Sequence, residues 1–91
     1  MFTIEDCIDI LKNVTVNDII VSQHFSKRLK GRSLDITSYL KELINQKNME
    51  VTYAKGRNRF MIKYYCESIN KIITIIIHIQ DNKQVVLITI Y

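Results

Sequence analysis

His24 and Arg28 stand four residues apart in the segment Ser22-Gln23-His24-Phe25-Ser26-Lys27-Arg28-Leu29-Lys30-Gly31-Arg32. On a helix that spacing projects an imidazole and a guanidinium side by side. An imidazole gives or takes a proton near neutral pH, and a guanidinium grips an anionic oxygen with parallel N–H donors. Lys27 and Arg32 add charge on either side of the pair. A structural role for both residues weighs equally, since most histidines and arginines pack or are solvated. A second constellation lies farther along, where Arg59, Lys63, Tyr65, Thr74, His78, Thr89 and Tyr91 fall at alternate positions of three apolar stretches. If those stretches are strands, these side chains share one face with Met61, Ile76 and Leu87. His78, set among isoleucines, reads first as a packed or hydrogen-bonded histidine, and Thr89 and Tyr91 alone read as ordinary strand formers.

The elements that must position these groups follow from periodicity. Thr3 and Asp6 form a capping-box pattern ahead of Ile4, Cys7, Ile8 and Leu11, which predicts an amphipathic helix over about 4–12. Residues 13–18 read as its exit, followed by a short apolar step, Ile19-Ile20-Val21. Ser22 caps a second helix that runs to about Lys30 and ends at Gly31, with Phe25 and Leu29 as its buried stripe. Ser33 or Asp35 caps a third, carried by Ile36, Tyr39, Leu40, Leu43 and Ile44 until Asn45 and Asn48. From Met49 the period changes to two, and breaks at 56–58, 68–70 and 81–83 divide four strands near 50–55, 59–67, 71–80 and 84–91.

The fold class is therefore α+β, with N-terminal helices covering one face of a four-stranded antiparallel meander. Ile73, Ile75, Ile77 and Ile79 share the covered face with Phe60, Ile62, Tyr64 and Cys66, and Val86, Ile88 and Ile90 continue it. That register puts Ile76 opposite Thr89 and Thr74 opposite Tyr91, and leaves no acidic residue on the other face. A one-residue bulge in any hairpin would change this assignment, and the 81–83 turn permits one. The last strand, from Gln84, and the first, near Val51–Lys55, become sheet margins open to a partner's strand or a second copy of the chain.

Ninety-one residues with 47% hydrophobic and 24% charged content predict one domain over 1–91. Cys7 and Cys66 are too few for a disulfide framework and lack zinc spacing, which predicts a reducing, cytoplasmic setting. Acids at Glu5 and Asp6 stand where an export signal needs lysine or arginine, and Thr74 and His78 interrupt the isoleucine run, so neither leader nor membrane span is expected. The charge is segregated: residues 1–21 carry −3, residues 22–63 carry +7, and the remainder balances. A basic middle behind an acidic start favours a polyanion, nucleic acid above others, as partner. No phosphate-binding glycine loop, dinucleotide fingerprint, nucleophile elbow or metal-spaced cluster is present, so neither cofactor nor metal is expected. Cys66 with either histidine has no motif to support thiol chemistry.

The run from Ser22 to Arg32, followed by a helix, hairpins and a terminal Ile88-Thr89-Ile90-Tyr91, resembles small toxin-like domains of the RelE/ParE and BrnT type, within the wider barnase, EndoU, colicin and RelE ribonuclease fold. The resemblance covers residues 19–91 and leaves 1–18 as an added acidic helix and linker. It implies a helix-backed sheet that binds RNA, cleaves it without metal, and is paired with a small antitoxin protein. His24 and Arg28 match the family's helix histidine and arginine, and Thr89 and Tyr91 its terminal Thr-x-Tyr; Arg59 and Lys63 match a habit of basic residues on the second hairpin strand. In that reading His24 moves the proton, Arg28, Arg59 and Lys63 clamp phosphate with Lys27 and Arg32 supporting them, and Tyr91 positions or stacks. Members of the group are not all nucleases, and a binding module without catalysis, on RNA, DNA or an acidic protein, is the competing expectation.

Overall fold

The structure, a computed structural model, describes residues 1–31, 49–66 and 70–90. Its element order is α1 (Ile4–Asn13), a 3-10 turn (Val16–Asp18), β1 (Ile19–Val21), α2 (Gln23–Gly31), β2 (Glu50–Tyr53), β3 (Arg59–Cys66), β4 (Lys71–Ile79) and β5 (Val85–Ile90). The expected third helix lies outside the described residues, as do Arg32 and Tyr91.

The capping box that the sequence predicts is formed. Asp6 N–H donates to Thr3 Oγ1 at 3.1 Å, and Thr3 N–H donates to Asp6 Oδ2 at 2.8 Å. These hydrogen bonds with Thr3 hold the Asp6 carboxyl below the usual carboxylate range. Cys7 and Leu11 then turn inward, and Val14 ends the helix in extended conformation. Burial pushes the Cys7 thiol up to about 12, so it packs as a small hydrophobe and is no nucleophile at neutral pH. At α2 the cap is Ser22, whose Oγ accepts from Phe25 N–H at 3.1 Å while its carbonyl accepts from Ser26 N–H at 3.0 Å. Phe25 is fully buried and fastens this short helix to the core.

The sheet has five strands, not four, in the order β1-β5-β4-β3-β2. Strands β2 to β5 pair antiparallel as expected, but β1 adds in parallel along β5, with Ile19 beside Val85, Ile20 beside Val86 and Val21 beside Leu87. Three apolar residues are too few to show a period, which is why this strand reads as a mere step. Its presence makes β5 an inner strand and leaves β1 and β2 as the margins. The expected free edge at Gln84–Tyr91 is thereby corrected for the described part of that segment.

Register explains the second correction. Ile77 pairs with Leu87 and Ile76 with Thr89, so Ile88 is an extra residue in β5. This bulge within the β4–β5 hairpin shifts the parity, as the sequence allows for any hairpin: Val85 and Leu87 face the core together with Ile90, in place of the expected Val86, Ile88 and Ile90. Ser22 fixes it from across the chain, its N–H donating to Leu87 O at 3.1 Å and its hydroxyl to Ile88 O at 2.9 Å. Pairing of Ile76 with Thr89 agrees with the sequence reading, whereas Thr74 with Tyr91 lies outside the described residues.

The core is one cluster in which Cys7, Leu11, Val14 and Phe25 meet Phe60, Ile62, Tyr64, Ile73, Ile75, Ile77, Ile79, Val85, Leu87 and Ile90. Each such side chain contributes about 1.5–3 kcal/mol on removal from water. Both described helices therefore lie on one side of the sheet, and among the described residues no helix packs on the other.

The β4–β5 turn holds Lys83 at φ 69°, the left-handed region that β-carbon sterics disfavour. Lys83→Gly removes that strain and, net of the extra freedom glycine has when unfolded, is expected to stabilise by roughly 0.5–1 kcal/mol. Thermal unfolding followed by circular dichroism should show a midpoint a few degrees higher. A lower midpoint would mean the lysine side chain contributes more than its backbone costs.

Candidate nucleic-acid interface

Because directly paired residues share a face, the register builds the uncovered side of the sheet row by row. One row runs Glu50, Lys63, Thr74, the next Thr52, Met61, Ile76, Thr89, and the third Arg59, His78, Val86, Ile20. Tyr65 opposite Ile72 extends it at the far end. Opposed side chains in such rows have β-carbons about 4.5–5.5 Å apart. Arg59, Lys63 and Tyr65 are exposed, Met61, Thr74, Ile76 and His78 half-buried, and Thr89 buried. The register assembles the second sequence constellation: Arg59, Lys63, Tyr65, Thr74, His78 and Thr89 all lie on the uncovered face.

Glu50 corrects a further expectation. It sits at the start of β2 directly opposite Lys63, so the face does contain an acid. The signal was its alternation with Thr52 along β2, readable only once the β2–β3 register is known.

His78 is half-buried, as a packed histidine would be. Its Nδ1 is buried and has no hydrogen-bond partner, so the ring is not held by that nitrogen. The residue lines a shallow cleft of about 280 Å³ between the β2–β3 turn and the end of β4, together with Arg57, Asn58, Gln80 and Asp81. Arg59 stands beside it in the same row, its side chain lying over Gly56, where an added β-carbon would meet Arg59 Cδ at 3.0 Å. Gly56 has φ 113°, so the turn both needs glycine's freedom and uses its bareness to seat the arginine. Among the described residues no ion pair or hydrogen bond occupies the Arg59 guanidinium or the Lys63 ammonium.

The helix constellation lies elsewhere. His24 and Lys27 are exposed on α2, and Arg28 follows one residue later on the same helix. Phe25, between His24 and Lys27, is buried on the helical side of the sheet. The α2 cap is tied to β5 through Ser22 and Ile88, one residue from Thr89, so the structure brings the start of this helix to the bulge. Thr89 Oγ1 is buried there without a hydrogen-bond partner. β1, which leads into α2, lies two strands from β4, while α2 itself packs against β5, the strand beside β4.

Among the described residues no three His, Cys, Asp or Glu side chains converge as metal ligands, and no helix is long and apolar enough to cross a membrane. No family model, curated protein or solved structure matches this chain.

Proposed function

We propose that the chain is a toxin-like endoribonuclease that holds single-stranded RNA on the uncovered sheet face and cleaves it by proton transfer without metal. The observation that carries this reading is the Arg59–His78 pair: a guanidinium that no described residue engages, directly opposite a histidine that lines a cleft. Lys63 provides a second phosphate contact along β3, and Tyr65 beside the 71% exposed Ile72 offers an apolar platform for a base. His78 Nε2 takes the ribose 2′-hydroxyl proton, the 2′-oxygen bonds to phosphorus, and the bond to the 5′-oxygen breaks, that oxygen taking a proton from water. Arg59 bears the charge that develops on the phosphoryl oxygens. The products are a 2′,3′-cyclic phosphate and a 5′-hydroxyl. The toxin role, a small antitoxin partner and a cytoplasmic setting come with the RelE/BrnT resemblance, and growth arrest with fragmented RNA on induction would support them.

Incubation of purified protein with a labelled oligoribonucleotide in EDTA should yield cyclic-phosphate ends. If chelator stops the reaction and magnesium restores it, the mechanism is wrong. Binding measured beside it should weaken with salt at a log–log slope near −1.4, the value for about two phosphate contacts on a single strand. A slope near zero would remove Arg59 and Lys63 from the interface. One observation favours binding without cleavage as the second reading: among the described residues, the Arg59–His78 row holds no second proton-transfer group, Glu50 lying two rows and two strands away. Salt-dependent binding with intact RNA would select it.

A further inference from the structure

We infer that β2 is the interface through which two copies of this chain join their sheets, and that each copy places its Glu50 in the Arg59–His78 row of the other. The inference goes beyond the RNA reading and stands without it. β2 ends the sheet, pairing only with β3 among the described strands. Ala54 N–H donates to Arg59 O at 3.0 Å, and antiparallel bonds recur at every second residue, so Glu50 and Thr52 also turn their backbone groups toward β3. The N–H and C=O of Val51 and Tyr53 therefore point outward, and among the described residues nothing pairs with them. Such an edge is a template for another strand, and proteins that avoid pairing blunt it with proline, lysine or a bulge. β2 has no proline or lysine, its register with β3 is unbroken, and its one charge is Glu50. β1, the other margin, has three residues hemmed between the 3-10 turn and α2.

Under a two-fold axis one register uses every outward group of the strand. Centred on Thr52, it sets Val51 opposite the partner's Tyr53 and satisfies the outward donors and acceptors of both copies. Centring on Val51 or Tyr53 instead pairs one of them with a residue beyond the strand. The side chains agree with the backbone. On the helical side Tyr53, 58% exposed and held at the margin by Ile4 N–H donating to its hydroxyl at 3.3 Å, meets the partner's Val51, an aromatic against a β-branched residue. On the uncovered face Thr52 meets the partner's Thr52, and the partner's Glu50 falls opposite Ala54. Ala54 is opposite Arg59 and Arg59 opposite His78, so the row runs from the partner's Glu50 through Ala54 and Arg59 to His78. Two strand spacings, about 10 Å, separate the backbones of the partner's Glu50 and Arg59. Only the Ala54 methyl lies between, and the two long side chains span the gap. The carboxylate thereby meets a guanidinium that no described residue engages. An acid at one end of β2 and a cation beside the other are self-complementary under a two-fold, which selects a second copy as the occupant.

Sedimentation equilibrium over roughly 5–500 µM should show a monomer–dimer equilibrium of micromolar order, as suits an interface below about 1,200 Å². A monomer throughout that range overturns the proposal. Introduced cysteines read the register under a mild thiol oxidant. Thr52→Cys, on the axis at a non-hydrogen-bonded pair with α-carbons about 4.5 Å apart, should cross-link into a covalent dimer. Glu50→Cys, displaced from its counterpart by about 13 Å along the strand, should cross-link no more than the parent chain with its Cys7 and Cys66. Equal cross-linking at the two positions overturns the register. Thr52 is exposed, so Thr52→Lys should keep a native circular dichroism spectrum while setting like charges against each other on the axis, raising the dissociation constant at least about tenfold. Glu50→Arg and Arg59→Glu should each weaken the dimer, and both changes in one chain should restore it; a combined variant as weak as either single one overturns the placement of Glu50. None of these measurements involves RNA, so their failure leaves the RNA reading where it stands.

Discussion

His78→Ala is expected to lower the rate of RNA cleavage by at least about 100-fold, the lower end of what a positioned acid or base contributes, with RNA affinity changed only a few-fold. His24→Ala is expected to cost less than tenfold. The contrast matters because the resemblance assigns the proton to His24, whereas the strand register puts His78 beside Arg59, the proposed phosphate contact. A single-turnover rate with labelled oligoribonucleotide, at protein well above the binding constant, isolates the chemical step from affinity. His78→Gln, which keeps a polar side chain opposite Arg59, guards against reading a repacked sheet as lost chemistry. Should His24→Ala abolish cleavage and His78→Ala spare it, the reacting centre moves to the α2–β5 junction, where Thr89 carries its unpartnered hydroxyl. That outcome would restore the assignment drawn from the resemblance and reduce the sheet face to binding.

The uncovered face was legible because strand parity is a strict rule. Arg59 and Lys63 alternate with Phe60, Ile62 and Tyr64, and nothing interrupts β3, so one apolar set fixes both faces. The capping box at Thr3 was legible for a similar reason, since both partners lie three residues apart. The bulge at Ile88 was not legible: its anchor, the Ser22 hydroxyl, is 66 residues away in sequence, and without it Val85–Ile90 reads as unbroken alternation. β1 escaped notice for a related cause, as a three-residue strand exists only by virtue of the β5 edge it pairs with. The docking of α2 is the weakest inference from sequence, because four-residue spacing says which side chains adjoin on the helix and nothing about which surface the helix sits on.

That docking depends on one side chain, which gives the second large expectation. Phe25→Ala should destabilise the protein by about 3–5 kcal/mol, the range for emptying a buried aromatic site, against a total of roughly 5–14 kcal/mol for 91 residues. Phe25 is the fully buried described residue of α2, and it fills the cluster against the strands that carry Leu87 and Ile77. Ser22→Ala, by comparison, loses a helix cap and the bond to Ile88, for about 1–2 kcal/mol. Urea unfolding with an unchanged slope measures both, and the phenylalanine change should lower the thermal midpoint by at least about 10 °C. The variant also discriminates function. If RNA is gripped by the uncovered face, Phe25→Ala under conditions where the protein remains folded should keep its affinity, since Arg59 and Lys63 sit on β3, away from the helix. If affinity collapses while the sheet is still formed, RNA is being held by His24, Lys27 and Arg28, and the basic helix rather than the sheet is the binding surface. A destabilisation below about 1 kcal/mol would instead show that α2 is seated by something other than its phenylalanine.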